Sequence, residues 1–515
     1  MAMKTHSLRR TNLYPLYRYI IFFLTVIACI TAPRSEAKEI QDVLTELETY
    51  TNEQMNAQKV PGMAYAIVKD DQVIYAKGFG FKKYGAADPV DENTVFEIAS
   101  NSKVFGATVA GMLVDEGEMN WTDKVTDHLS DFKMHESWVT KEFQIEDLMC
   151  HRSGMPGYSL DPMCFFGYPV EDLMKAVRYV EPATSFRTSY AYQNVLYIWL
   201  GKLIETKTGS PWPTVVKDRI FTPLGMTQTS ASQTDTRMWS NIAVGHLKLA
   251  GGTPWPLPSD WPYSQWNMSS VGPAGDIRSN VLDMAKWIRL HLGNGTFEGN
   301  TLLKADTMRY IHSPRTLISS TSSASLLYAM GLLYVARSPY PYLWHTGSSF
   351  GMHSLVGFIP GVNIGMVVLT NSVGHTVPAD IFNKFYELYF DTLFSGVSPQ
   401  LSLPGMKSEK TMRAPAPSSI EKAPSISRYV GVYKNPAYEK AVVKKEGSSL
   451  VLFLGPEMIE GPLTPQSGDK FKWTISDWPE MEMDVTFVTN SFGQVRSLVI
   501  DKLNDVNGGK FVKMH

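Results

Sequence analysis

Ser100-Asn101-Ser102-Lys103 places a serine and a lysine three residues apart where an apolar-periodic segment begins. On a helix the two side chains share one face, one turn apart. A serine hydroxyl is a poor nucleophile at neutral pH and needs a neighbouring base. A lysine one turn away can be that base when burial lowers its pKa. The pair would support covalent acyl transfer. The spacing by itself is weak, because Ser35, Ser130, Ser419 and Ser467 also have a lysine three residues on.

Other residues could complete such a site. Tyr192-Gln193-Asn194 stands just before a helical run at Val195, although Tyr433-Lys434-Asn435 repeats the pattern. A tyrosine hydroxyl can relay a proton, and an amide can orient a lysine or a substrate. His345-Thr346-Gly347 leads into a strand, where a glycine lets another backbone come close. Leu148-Met149-Cys150-His151-Arg152-Ser153-Gly154-Met155-Pro156 reads as a polar turn.

Elements must bring these groups together. Met63–Val68 and Val73–Ala76 flank Asp70-Asp71, a hairpin signal. A helix is predicted from Ser102 to Gly117, with further helices over 195–206, 281–292 and 379–394. Ser354–Ile359 and Ile364–Leu369 read as strands joined through Pro360-Gly361. Gly251–Tyr263, rich in proline and tryptophan, reads as a long loop of the kind that borders binding sites. Strands at both ends with helices between predict one antiparallel sheet closed by distant segments, flanked by helices and carrying an inserted helical region: an α+β fold. Residues 397–426 read as a proline-rich linker. Beyond it, short alternating runs at 429–433, 441–444, 450–454, 470–473, 483–488, 495–500 and 510–512 predict a small all-β barrel or sandwich.

Composition bounds the rest. Apolar residues make up 44% of 515 and aromatics 12%, enough for large packed cores. There is no basic patch of nucleic-acid type. Lys4, Arg9, Arg10 and Arg18 precede an apolar run, Tyr19–Ala32, and then Ser35-Glu36-Ala37. This reads as an export signal cleaved after Ala37, which predicts a periplasmic or secreted protein. Membrane attachment requires that residues 19–32 stay as an uncleaved anchor or that Cys29, after Val26-Ile27-Ala28, carries a lipid. Cleavage takes the net charge from −2 to −6 and leaves only Cys150 and Cys164. That pair reads equally as a disulfide and as two buried thiols. No His-Glu-x-x-His or Cys-x-x-Cys spacing occurs, so no metal and no cofactor is expected.

With these triplets in this order, the chain resembles the serine β-lactamase and penicillin-binding superfamily, in its class C-like branch. The resemblance covers about residues 40–395. Leu148–Pro156, Pro223-Leu224-Gly225-Met226 and Ala274-Gly275 with Ser279 and Asp283 are similar to further signatures of the branch, and the last 90 or so residues resemble a lipocalin-like domain. With the export signal at 1–37 and the linker at 397–426 already read from the residues, the resemblance implies a transpeptidase-like catalytic domain at 38–396 and the barrel at 427–515. It implies Ser100 as nucleophile, with the base left open between Lys103 and Tyr192. Asn194, His345, Thr346 and Gly347 would bind substrate, and the N–H groups of Ser100 and Ser348 would form the oxyanion hole.

Two decoys fail on context. Lys207-Thr208-Gly209 ends a helical run, so Gly209 reads as its C-cap. Gly347-Ser348-Ser349-Phe350-Gly351 matches a nucleophile elbow, but a strand follows where that elbow needs a helix. Many members of the superfamily carry lysine where this chain has His345. A mostly neutral histidine holds a carboxylate less firmly. The expectation is therefore a D-Ala-D-Ala carboxypeptidase or D-amino-acid peptidase, ahead of a class C-like β-lactamase or a short-chain esterase. A catalytically vestigial penicillin-binding or scaffolding protein is the reading from another class. Partners are a small peptide, β-lactam or ester substrate, with the barrel covering the site or joining subunits.

Overall fold

The computed structural model describes residues 40–232, 239–249, 251–258, 271–338, 340–390, 426–476, 478–504 and 506–514. The export signal at 1–37 and the linker as far as 425 lie outside the described residues.

Asp70 and Asp71 both adopt positive φ, 50° and 62°, the backbone a tight two-residue hairpin turn demands. They join β1 (Gly62–Lys69) to β2 (Gln72–Gly80). The other strands of this sheet come from far down the chain: β3 (Thr316–Ser320), β4 (Ser325–Tyr328), β5 (Leu333–Ala336), β6 (Tyr342–Ser349), β7 (Met352–Ile359) and β8 (Ile364–Thr370). The order across the eight strands is β2-β1-β8-β7-β6-β5-β4-β3. Every neighbouring pair is antiparallel, with Ala66 opposite Val367 and Val356 also opposite Val367. Thus β8, buried along its whole length, joins the N-terminal hairpin to the late strands, as distant closure requires.

Along the chain, the helical region lies between the N-terminal hairpin and the late strands. α2 (Ser102–Asp115) is buried from Ser102 to Leu113 and runs through the middle of it. A helix apolar all round is a core helix. α3 (Val195–Thr208) ends at Gly209, whose φ of 68° is the left-handed cap expected. α4 (Val281–Leu292) starts on Asn280, whose side chain accepts the Asp283 N–H at 2.8 Å. α5 (Ala305–His312) follows. Residues 40–51 of α1 (Ile40–Ala57) and 383–390 of α6 (Val377–Phe390) form a small separate unit with a Lys384–Glu46 ion pair at 3.9 Å.

The C-terminal runs close into an eight-stranded barrel: β9 (Gly431–Asn435), β10 (Glu439–Glu446), β11 (Ser449–Leu454), β12 (Ile459–Ser467), β13 (Lys470–Ile475), β14 (Trp478–Thr489), β15 (Val495–Ile500) and β16 (Lys510–Lys513). The sequence reading has seven of these strands and lacks β12. Pro462 and Pro465 hide it, since proline cannot donate to a ladder. β12 accommodates them with a register shift after Pro465, while Ile459, Gly461 and Leu463 point inward. Aromatic rings fill the interior, with the Tyr429 and Phe471 centroids 5.0 Å apart and those of Tyr429 and Phe487 4.5 Å apart.

Candidate active site

The turn before α2 carries Ser100. It is a single 3-10 turn, Ala99–Asn101, that runs straight into the helix. Ala99 has φ 47°, an uncommon conformation for a residue with a side chain, costing about 1–3 kcal/mol. The sheet holds the turn in place. Ser354 Oγ on β7 donates to the Ile98 carbonyl at 2.8 Å and accepts from Asn101 Nδ2 at 2.8 Å. Gly347 on β6 lies against the same carbonyl: a Cβ there would sit 2.0 Å from Ile98 O. Only glycine permits that approach. It brings the exposed Ser348 to the edge of the turn carrying Ser100, where both backbone amides are expected to act.

Lys103 is fully buried one turn along, and its Nζ lies 3.1 Å from Ser100 Oγ. Two other partners can only accept: Asn194 Oδ1 at 2.8 Å and the Ala274 carbonyl at 2.7 Å. Asn194 is oriented in turn, because its Nδ2 donates to Asp161 Oδ2 at 2.8 Å. A carboxylate cannot donate, so the amide oxygen must face Lys103. Burial lowers the lysine from its ordinary 10.5 to about 7, against a smaller opposing pull from Asp161. At neutral pH a large fraction is the free amine. Its two hydrogens suit the two acceptors, and the lone pair is then left toward Ser100.

Tyr192 meets Ser100 as well, and its ring lies 4.8 Å from Lys103 Nζ. Burial pushes its hydroxyl well above the usual range, and the hydrogen bond with Ser100 offsets this only in part. Tyr192 is therefore a neutral phenol. The polar turn at 148–156 supports it. The His151 carbonyl accepts the Ala191 N–H at 2.8 Å and His151 Nδ1 accepts the Gln193 N–H at 3.0 Å, one on each side of Tyr192. The His151 ring packs 4.2 Å from that of Tyr192. Arg152, next in the chain, pairs with the buried Glu146 and Asp147 and anchors the turn.

His345 differs from expectation. It is buried on β6, with Nδ1–H donated to the Thr346 carbonyl at 2.5 Å and Nε2 accepting the Tyr328 hydroxyl at 3.1 Å. Both nitrogens are thus engaged inside the protein. Burial, with the Lys103 charge, lowers its pKa to about 3. The side chain is a neutral structural group, and the hydrogen bond to substrate expected of it has no free N–H to make it. Thr346 is half-buried beside it. Ser349, the elbow decoy, ends β6 and donates to Glu97 Oε2 at 2.7 Å. Cys150 and Cys164 are both buried and stand as separate thiols in this structure.

Asp161, the Ala274 carbonyl and His151's clamp on Tyr192 have no pattern of their own in the sequence. The only hints are the turn at 148–156 and the Ala274-Gly275 segment.

The sequence profile of the Beta-lactamase family matches residues 47–386, and that of a domain of unknown function, DUF3471, matches residues 415–510. The chain is 28% identical over 412 residues to an unguisins hydrolase of Aspergillus campestris, covering 75% of this chain and 74% of that one. It is 28% identical over 337 residues to penicillin-binding protein 4 of Amycolatopsis lactamdurans, covering 63% and 84%. The octameric penicillin-binding protein homologue of Pyrococcus abyssi shares the fold, with a TM-score of 0.59 at 23% identity over 91% of this chain and all of that one.

Proposed function

The chain belongs to the beta-lactamase family of serine hydrolases and penicillin-binding proteins, and we propose that it cleaves amide or ester bonds through a covalent acyl-enzyme on Ser100. The observation that carries this reading is the aim of Lys103: two fixed acceptors hold Nζ, and the remaining direction is Ser100 Oγ, 3.1 Å away.

Neutral Lys103 takes the Ser100 proton as Oγ bonds to the substrate carbonyl carbon. The oxyanion is held by the N–H groups of Ser100 and Ser348; losing one such donor costs about 10²–10³ in rate. The proton then passes, with the Tyr192 hydroxyl as relay, to the leaving nitrogen or oxygen as the carbonyl bond to it breaks. Water then bonds through its oxygen to the acyl carbon while giving a proton to Lys103. The bond to Ser100 Oγ breaks, Oγ takes that proton back from Lys103, and the acid leaves with the enzyme restored. Lys103 is the base in this scheme, because burial favours its neutral amine and disfavours a Tyr192 anion.

The substrate class is D-Ala-D-Ala carboxypeptidase or D-amino-acid peptidase-like. The neutral, doubly bonded His345 provides no cation for a carboxylate, which favours amides and esters of D-amino acids within that class and supports short-chain esterase activity as the second reading ahead of β-lactam hydrolysis. The export signal at 1–37 suggests that the enzyme works outside the cytoplasm. Intact-mass detection of the acyl-enzyme after exposure to D-amino-acid amides, D-Ala-D-Ala peptides, short-chain esters and β-lactams tests the proposal. Acylation of Ser100 by the first group and slow or no turnover of β-lactams is the expected result. Fast β-lactam turnover with inert amides and esters would overturn the substrate class.

A further inference from the structure

One charge beside Lys103 takes no part in the scheme above. Asp161 opens a five-residue helix, Asp161–Phe165, entered through Leu160 at φ 67°. So short a helix has no stability of its own and needs tertiary support at its far end. The barrel supplies that support. Phe166 stacks on Trp473 with centroids 5.8 Å apart. The Tyr168 hydroxyl, buried, donates to the Tyr438 carbonyl at 2.5 Å. The two backbones come together through glycines on either side. A Cβ on Gly455 would lie 2.4 Å from the Phe166 carbonyl oxygen, and one on Gly167 would lie 2.7 Å from Glu457 Cγ. Val180 bridges to Val506 further along the same segment.

We infer that the C-terminal barrel is a buttress of the active site: by gripping residues 166–168 it sets Asp161, a positioning residue that orients the Asn194 amide and through it Lys103. The chain of contacts is unbroken from Trp473 and Tyr438 to Phe166 and Tyr168, along the short helix to Asp161, and then to Asn194 Nδ2 and Lys103 Nζ at 2.8 Å each. The inference rests on the reading of Lys103 as the base. The other titratable groups facing Lys103 are His151 and His345, both neutral through burial, and the rings of Tyr192 and Tyr197. Tyr158, also held neutral by burial, faces Asp161. Among the described residues Asp161 is then the carboxylate that tunes the lysine, and moving it away changes where the lysine titrates.

The test measures phosphonylation of Ser100 by a fluorophosphonate across the neutral pH range in the full chain. Asp161→Asn keeps a side-chain oxygen for Asn194 but removes the charge, so the acid limb of the profile moves to lower pH by about one unit. Gly455→Val, which wedges the barrel off Phe166, and the milder Tyr168→Phe move the limb the same way by less. In an Asp161→Asn background neither moves it further. Interface variants that slow the reaction with the limb unmoved or raised, or that shift it equally without the Asp161 charge, overturn the buttress; so does an Asp161→Asn limb that stays in place. Tyr168→Phe keeps the experiment decisive if Gly455→Val unfolds. Lys103→Met separates the two readings: if it keeps the rate and the limb, the base assignment itself has failed.

Discussion

Lys103→Met removes the proposed base and, in the same step, a buried cation. Burial takes the lysine from 10.5 to about 7 in the folded protein. The unfolded chain therefore binds more protons than the folded one between those values, and stability climbs with pH across that window. The gap of about 3.5 on the pH scale, at about 1.4 kcal/mol each, is a burden of about 5 kcal/mol, full below pH 7 and gone above 10.5. Methionine is unbranched, of similar length and free of that burden. It leaves Asn194 Oδ1 and the Ala274 carbonyl without a donor, at about 1–3 kcal/mol each. That loss does not titrate, so the informative quantity is the slope. Relative to the variant, the wild type gains about 3 kcal/mol between about pH 7 and about pH 9.5. Thermal melting of both proteins across that range reads the gain as a difference that grows by a few degrees in favour of the wild type. Phosphonylation of Ser100, followed in the same samples, falls about 10²–10⁴-fold in the variant. A melting difference independent of pH, or a rate left intact, would refute the picture of a buried, readily deprotonated lysine.

Wild-type acylation itself should rise with pH through about 7, as Lys103 loses its proton, and a profile flat from pH 5 to 8 would contradict that. Tyr192→Phe should keep the fold and slow amide cleavage about 10²-fold or more, with a smaller effect on esters whose leaving groups need no proton, read as kcat/KM on matched amide and ester substrates. Gly347→Ala drives a methyl to 2.0 Å from the Ile98 carbonyl, so the strand must separate from the nucleophile turn; acylation should drop about 10²-fold, measured with the same fluorophosphonate. His345→Lys should lower the melting temperature, because an ammonium replaces a neutral ring bonded at both nitrogens, and should not create strong binding of carboxylate-bearing substrates; tight penicillin binding by this variant would show that the position does face substrate.

The parts of the site visible in the sequence are those in which side-chain type and spacing carry the chemistry. Ser100 and Lys103 are paired by the helical repeat, and Gly209 betrays the false Lys-Thr-Gly by capping a helix. Gly347 is legible because a strand glycine signals close approach, and the Ile98 carbonyl is what approaches. What is hidden depends on tertiary contact. The Ala274 acceptor is a backbone carbonyl, which any residue could supply. Asp161 lies 33 positions before Asn194, on a helix too short to have a period. The histidine at 345 advertises a hydrogen bond but not its direction, which Tyr328 sets from a neighbouring part of the sheet. The strand at Ile459–Ser467 is masked by its two prolines, which a bulged barrel strand tolerates.

The central claim is that Ser100, activated by Lys103, is the nucleophile. It is tested most directly by intact and peptide mass analysis of the full chain after a fluorophosphonate, comparing wild type with Ser100→Ala. A single adduct on the peptide carrying Ser100, absent from the Ser100→Ala protein, is the predicted result. An adduct on Ser349, or one that persists in Ser100→Ala, would contradict it.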